Sequence, residues 1–209
     1  MENFFKIRAE KQEHIINAAF AVFGRQGYKK ASVADIAEAA GIAKGMITYY
    51  FGSKKNLYLH LAQMGQKTLM EKISQYFDMN VRDYFDKIKM GTKMKADILR
   101  EHPALLQFFV SMYYEKDKEV AAEIKAIVDD STTIGNRILM EDTDISKFRE
   151  DFDPETIGKF IHWAGNGLVM DLQLAENADK FEEFEQEFYK LLDVMKAIFY
   201  KEGEADVKS

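Results

Sequence analysis

Cysteine is missing from all 209 residues, which excludes a disulfide scaffold and any thiolate metal site and fits a reducing compartment. Proline is almost missing too. Pro103 and Pro154 are the only two, and long stretches run without glycine, so little interrupts helix. No apolar run approaches the roughly 20 residues that span a bilayer. The N-terminal Met1-Glu-Asn-Phe-Phe-Lys-Ile-Arg has neither the apolar stretch nor the small-residue cleavage site of a secretory signal. Together these absences predict an all-α, cytoplasmic protein without a membrane partner.

The patterns of common catalytic sites are also lacking. His14, His60, His102 and His162 are scattered, with no His-Glu-x-x-His among them. There is no Gly-x-Ser-x-Gly and no Walker loop, and Gly165-Asn-Gly167 lacks the third glycine and preceding strand of a dinucleotide site. Asp142, Asp144, Asp151 and Asp153 do not make a calcium loop, because Lys147 stands where a glycine is needed. The chain therefore reads as a non-enzyme, with no catalytic residues, no metal and no cofactor expected.

What is present is a helical pattern with an uneven charge. Hydrophobic residues at 47% and charged residues at 31% match a soluble globular chain long enough to bury its own core. The net charge of −6 hides an asymmetry: residues 1–60 hold nine Lys/Arg against five Asp/Glu, which leaves a strongly acidic remainder. A basic first part on an acidic body suggests a polyanionic partner for that part alone, although a charge bias is often just a solvated face.

Periodicity predicts about nine helices. The first runs from about Ile7 to Gln26, with Ile15, Ala19, Val22 and Phe23 at i, i+4, i+7, i+8, and Gly24 and Gly27 loosening and then ending it. Ser32, with Asp35 three residues later, announces a second helix whose inner face is Val33, Ile36, Ala37 and Ala40. Gly41 follows where a tight turn needs positive φ. A short third helix spans about Lys44–Tyr50, and Ser53 caps a long fourth reaching about Asp78. Further helices are expected over 81–100, 103–114, 118–140, 154–177 and 180–200. Between them 141–153 is an acidic, aperiodic loop, and Asp153-Pro154-Glu155 is a helix start.

The segment from Ser32 to Lys55, SVADIAEAAGIAKGMITYYFGSKK, carries the function. Two short helices around Gly-Ile, small residues at the crossing and the apolar pins Ile36, Ile42 and Ile47 describe a helix-turn-helix. Such a unit presents the exposed N-terminal turns of its second helix to the major groove while its first helix spans the backbone. With the helices before and after it, this segment resembles the TetR family of bacterial repressors. The resemblance rests on Ala18 and Phe23 before Gly27-Tyr28, on Ser32-Val33-x-x-Ile36-Ala37-x-x-Ala40-Gly41-Ile42, and on Lys44-Gly45-Met46-Ile47-Thr48-Tyr49-Tyr50-Phe51-x-Ser53-Lys54-x-x-Leu57. It is close over about 50 residues and architectural beyond them.

The resemblance implies a helix-turn-helix DNA-binding domain over 1–53 and a helical ligand-binding and dimerisation domain over 54–201, while the polar residues 202–209 read as a disordered tail. It places Lys44, Gly45 and Thr48 on the recognition helix. Lys44 is a reader of guanine O6/N7, and Gly45 lets backbone approach the groove. Tyr49, Tyr50, Lys54 and Ser32 are expected on phosphates, with core packing an equal alternative for Tyr49. Thr48 is shorter than the tyrosine frequent there in relatives. Ala43 replaces a usual capping serine, forfeiting about 0.5–2 kcal/mol.

The same resemblance implies a homodimer and a small-molecule inducer. A dimer stripe is read at Ile157, Ile161, Ala164 and Leu168 with Phe188, Leu192 and Met195, where the alternative is intra-chain core; Gly158, Gly165 and Gly167 would allow a partner helix close approach. Pocket candidates on the middle helices are Met90, Met94, Phe108, Phe109, Met112 and Tyr113. Trp163, Asn166 and Met170 complete that set. Eleven methionines and 13% aromatics suit a lipophilic ligand, although such residues also build cores. The expected function is a ligand-responsive repressor on (pseudo)palindromic operator DNA, associated with the nucleoid when bound, with the fourth helix as lever. A transcriptional activator with the same reading head, or a helical interaction protein that does not bind DNA, is the alternative.

Overall fold

The computed structural model describes residues 1–78 and 80–204. Among the described residues ten α-helices follow one another: α1 (Glu2–Phe5), α2 (Ala9–Lys30), α3 (Val33–Ala39), α4 (Gly45–Phe51), α5 (Lys54–Tyr76), α6 (Tyr84–Glu101), α7 (Pro103–Tyr113), α8 (Ala121–Met140), α9 (Pro154–Asp171) and α10 (Phe181–Phe199). Among the described residues the only strand-like pairing is a single antiparallel bridge, Phe148 with Tyr200. The all-α expectation holds, and the additional helix is α1. Of the tail expected over 202–209, residues 205–209 lie outside the described residues, and Glu204 N–H closes a turn on the Lys201 carbonyl at 3.1 Å.

The chain forms two compact units. The first comprises residues 1–71 and 101–134, so the helix-turn-helix expected over 1–53 shares its unit with most of α5 and with α7. The reason is aromatic. Phe23 of α2, Tyr58 of α5 and Phe108 of α7 meet edge to face, with centroids 4.9 Å (Phe23–Tyr58) and 5.2 Å (Tyr58–Phe108) apart, and Phe20 joins Phe108 at 5.2 Å. Each such pair adds about 0.5–1.5 kcal/mol beyond the area it buries. Gly24 makes this approach possible: a Cβ there would lie 2.8 Å from Gln107 Cβ and 3.0 Å from the Gln107 and Phe108 backbone. Gly27 then breaks α2 at φ 69°, as the sequence predicts. The freed Tyr28 N–H donates to the Glu115 carboxylate at 3.0 Å, and Ser111 Oγ donates to the Phe23 carbonyl at 3.3 Å, just beyond α7 and within it.

The second unit comprises residues 72–100 and the chain from Gly135 onward. Its core joins Phe85 of α6, Phe148 and Tyr200, with Phe148–Tyr200 at 4.9 Å and Phe85–Tyr200 at 5.2 Å. The 141–153 segment is indeed mostly loop, but it contains a 3-10 turn (Ile145–Lys147) and is anchored by buried Phe148. The ninth helix stops six residues before the expected Asn177. Gln173 takes φ 48° and Leu174 N–H reaches back to the Val169 carbonyl at 3.0 Å, a Schellman stop with buried Leu174 as its apolar anchor. Glycine normally marks that position, so the pattern gave no warning.

Asp83, 8% exposed, organises the start of α6. Its carboxylate accepts the N–H groups of Phe85 (3.0 Å) and Asp86 (3.2 Å) and faces Lys196 Nζ at 3.1 Å and Lys147 Nζ at 3.2 Å. Burial pushes this carboxyl up. The hydrogen bond and charge of Lys196, the Asp86 N–H and Lys147 outweigh it and hold the pKa below the usual carboxylate range.

Two outcomes follow from this packing. Gly24→Ala should lower unfolding free energy by about 1–3 kcal/mol, since α7 backbone cannot step aside; urea denaturation checks it. Asp83→Asn should cost about 3 kcal/mol at neutral pH by leaving the buried Lys196 and half-buried Lys147 ammonium groups without their carboxylate. Because the folded pKa is depressed, that difference is fully present above the ordinary carboxylate pKa of about 4 and disappears as pH falls through the lower folded value. Denaturation of both proteins between neutral and strongly acid pH measures it.

Candidate nucleic-acid interface

The helix-turn-helix is built by local hydrogen bonding. Ser32 Oγ accepts the Asp35 N–H at 3.1 Å while the Asp35 carboxylate accepts the Ser32 N–H at 3.2 Å, a reciprocal capping box. At the other end of α3, Gly41 takes φ 58°, its N–H donates to the Glu38 carbonyl at 3.0 Å, and Ile42 N–H donates to Ala37 at 2.9 Å. This Schellman turn aims the chain into α4. Lys44 already has helical dihedrals and no side chain caps α4, in keeping with the missing serine at Ala43. Ile36, Ile47 and Phe51 are buried, as the pins require, while Ile42 is half-buried.

The outer face of α4 presents Lys44, Gly45, Thr48 and Tyr49, all exposed. Gly45 needs no positive φ, and a Cβ there would meet nothing within 4 Å. The fold itself does not require glycine at that position. Lys29 and Lys30, at the end of α2, are exposed as well. Among the described residues, the one ion pair made by a basic side chain of residues 1–60 is Lys55 with Glu123 at 2.5 Å.

The structure gives three of the expected phosphate residues other work. Tyr50 is 3% exposed, its ring packed 5.8 Å from Phe4, whereas Tyr49 is 60% exposed. Of the two tyrosines expected on phosphates, Tyr50 is thus the one that packs into the core, because α4 turns position 50 inward beside Ile47 and Phe51, and Tyr49, for which core packing was the alternative, faces solvent. Lys54 Nζ donates to the carbonyls of Tyr28 (2.9 Å) and Ala31 (3.2 Å) and sits 4.2 Å from the Tyr28 ring centroid. Carbonyls left without partners past the Gly27 break attract this cation, which ties the start of α5 to the end of α2. The Ser32 cap leaves the Ser32 and Asp35 N–H groups satisfied inside the protein.

Sequence reasoning missed Phe4. Helix α1 folds back so that Phe4, 2% exposed, lies 4.7 Å from Phe51, and Phe5 lies 6.2 Å from His60. Burial and the nearby N-terminal ammonium lower the His60 pKa. The paired phenylalanines ahead of the first long helix were the available signal.

The body residues distribute unevenly. Phe108 and Met112 are buried in the first unit, Phe109 is half-buried against Gly65 of α5, and Tyr113 is exposed. Met94 is buried and Met90 half-buried on α6 in the second unit. On α9, Asn166 Nδ2 lies 3.0 Å from His162 Nε2, while Trp163 and Met170 are exposed. Of the expected dimer stripe, Ile157, Ile161, Phe188 and Leu192 are buried within the chain; Ala164, Leu168 and Met195 are half-buried. Two of the three glycines meant for a partner helix instead admit neighbours from the same chain. Gly158 faces Tyr84 Oη at 3.2 Å and Gly165 faces the Phe188 ring at 3.3 Å. Among the described residues no three His, Asp or Glu side chains are grouped to hold a metal, and no helix is long and apolar enough to cross a membrane.

Comparison with known proteins places this geometry. Residues 15–61, from α2 into α5, match the family model described as bacterial regulatory proteins, tetR family. The chain is 22% identical over 204 residues to the HTH-type transcriptional regulator YfiR of Bacillus subtilis, covering 95% of each. It is 31% identical over 101 residues, 48% of each chain, to the fatty acid metabolism regulator protein of the same organism. A TetR family transcriptional regulator from Chloroflexus aurantiacus superposes with a TM-score of 0.76 at 21% identity, covering 96% of this chain and 98% of that one. The capped turn and outward α4 face lie within the segment the family model describes: residues 15–61 carry the DNA-binding segment of the tetR family of bacterial regulatory proteins, and the fold of the whole chain is the one seen in the TetR family regulator it superposes with.

Proposed function

We propose that this regulator is a ligand-responsive repressor that holds operator DNA as a homodimer, with α4 in the major groove. The observation that carries the reading is the outer face of α4. Lys44, Gly45, Thr48 and Tyr49 are open to solvent, and nothing in the chain accounts for a glycine at position 45. Backbone brought close to base edges accounts for it, with Lys44 reading a guanine and Tyr49 resting on a phosphate. Lys29 and Lys30 add sequence-independent attraction. Lys54, Tyr50 and Ser32 serve as positioning residues that set the angle of α4. The reading head remains residues 1–53 in function, although its packing partners lie further along the chain.

Two half-sites need two reading heads, and an apolar surface on α9 and α10 suits a second copy. The helices pack side by side, and each leaves a row of large apolar residues exposed: Phe160, Trp163 and Met170 on α9, Leu191, Val194 and Ile198 on α10. Trp163 is 61% exposed, unusual for so large a ring on a soluble protein. Gly167, in the same row, has open space where its Cβ would be. This row replaces the earlier stripe as the isologous interface.

An inducer releases DNA only if it prefers a dimer whose heads depart from the spacing of about 34–36 Å, one DNA turn. The abundance of methionine and aromatic side chains supports a lipophilic inducer, and so does the likeness over half the chain to a protein named for fatty acid metabolism.

Fluorescence anisotropy on DNA selected from random duplexes, over a salt series, tests the reading. Affinity should fall steeply with salt, and Lys44→Ala and Tyr49→Ala should each weaken it by about tenfold, the order of 1–3 kcal/mol per contact. Lys54→Met should instead lower the melting temperature and leave the salt slope unchanged. In sedimentation velocity, Trp163→Glu should convert the dimer to monomer with loss of operator binding; an unaltered mass would remove α9 from the interface.

A further inference from the structure

Helix α2 starts in a way that the fold does not explain. Helices α3, α5 and α9 begin on a side-chain oxygen, where Ser32, Ser53 and Asp153 accept the N–H groups of Asp35, Asn56 and Thr156. At the head of α2, which is 22 residues long, stands Arg8, and its side chain makes no capping hydrogen bond. The helix dipole repels a cation there, and a serine or aspartate would serve the fold better. Lys6, two residues earlier, closes α1. Both side chains are exposed, and among the described residues neither has an ion-pair partner.

The backbone that carries this pair is fixed against the reading head. Ile7 N–H donates to the Phe4 carbonyl at 3.4 Å and Gln12 Nε2 donates to the Ile7 carbonyl at 2.8 Å, which holds residues 6–8 between the two helices. A helix of four residues has no stability of its own. It keeps its place through Phe4, whose ring lies 4.7 Å from Phe51 and 5.8 Å from Tyr50, at the C-terminal end of α4. Tyr50 in turn lies 5.5 Å from Tyr49, the ring assigned to a phosphate. Helix α4 is only about 10 Å long, and the major groove is about 12 Å wide between its two phosphate walls. A segment seated on the end of α4 therefore comes to one of those walls.

From this placement we infer that Lys6 and Arg8 bind DNA phosphates, a second cationic stretch that carries the reading head along the backbone beyond α4. This rests on α4 entering the major groove, as proposed in the preceding section, and adds a contact from outside the helix-turn-helix. Glu2 and Glu10 stand nearby in the sequence, so the attraction comes from two positioned side chains and not from a basic run. The partner is the phosphodiester chain, which carries no sequence information, so the contact strengthens binding to every duplex alike. An anion outside the protein accounts for an arginine where the helix itself calls for a cap.

Fluorescence anisotropy of the full chain on its selected operator and on a random duplex, across a salt series, tests the inference. Each residue supplies one phosphate contact per protomer. Lys6→Gln and Arg8→Ser should therefore each make the slope of log affinity against log salt shallower by about 2 for a dimer. Both duplexes should lose affinity by the same factor, and Lys6→Arg and Arg8→Lys should keep the original slope. Stability separates this from a structural role: Arg8→Ser should raise the melting temperature, because a serine cap replaces a misplaced cation, even as binding weakens. An undiminished slope in either Lys6→Gln or Arg8→Ser, a loss confined to the operator, or a lower melting temperature for Arg8→Ser would overturn the inference and leave α4 as the reader. Failure of the unmodified protein to bind either duplex would overturn both.

Discussion

The close approach of α2 to α7 at Gly24 is the constraint on which the reading head depends. Backbone atoms of α7 stand 3.0 Å from where a side chain would begin, so no other residue fits without moving a helix. That approach brings Phe20 and Phe23 onto Phe108 and, through Tyr58, brings α5 into the same aromatic cluster. The remaining contacts then work locally. Glu115 catches the N–H freed at Gly27, and Lys54 gathers the carbonyls beyond it. Helices α3 and α4 hang from this frame by a capping box and a Schellman turn. The direction of α4 is therefore inherited from a glycine two helices earlier.

Much of this was legible in the amino-acid pattern, and the places where it was not share a cause. Helix starts marked by Ser32, Ser53 and Asp153 are confirmed by side-chain oxygens that accept the N–H groups of Asp35, Asn56 and Thr156. Turn glycines at 27 and 41 take the positive φ expected of them. These signals are local, involving residues within a few positions of one another. The end of α9 is the counterexample: Gln173 adopts a glycine-like φ because buried Leu174 anchors the chain beyond it, and nothing in the residue type reveals that.

Distinguishing buried from exposed faces was harder. Tyr49 and Tyr50 are chemically identical neighbours, and only the rotation of α4 decides that one meets solvent and the other meets Phe4. Helices α9 and α10 each carry two apolar rows, so periodicity alone cannot say which row faces the chain's own core. Ile157, Ile161 and Leu192 were chosen for a partner because they are regular; they are regular because they build the interior. Trp163, expected among the aromatic and methionine side chains of a pocket, stands outward. The charge reading fared better for the head than for individual lysines, since a net bias survives even when Lys54 turns to backbone carbonyls.

The union of α2 with α7 has a bearing on modularity. A head excised after residue 53 would carry Phe20, Phe23 and the bare groove at Gly24 with no helix to cover them, and would bring apolar surface into water that the intact chain never shows. Exchange of operator specificity between relatives by recombination would then succeed only where the incoming α2 matches the resident α7 in its small-residue notch. Variation confined to the exposed side of α4 escapes that restriction, so under the proposed reading new target sequences are reached by point changes there more readily than by swapping whole segments.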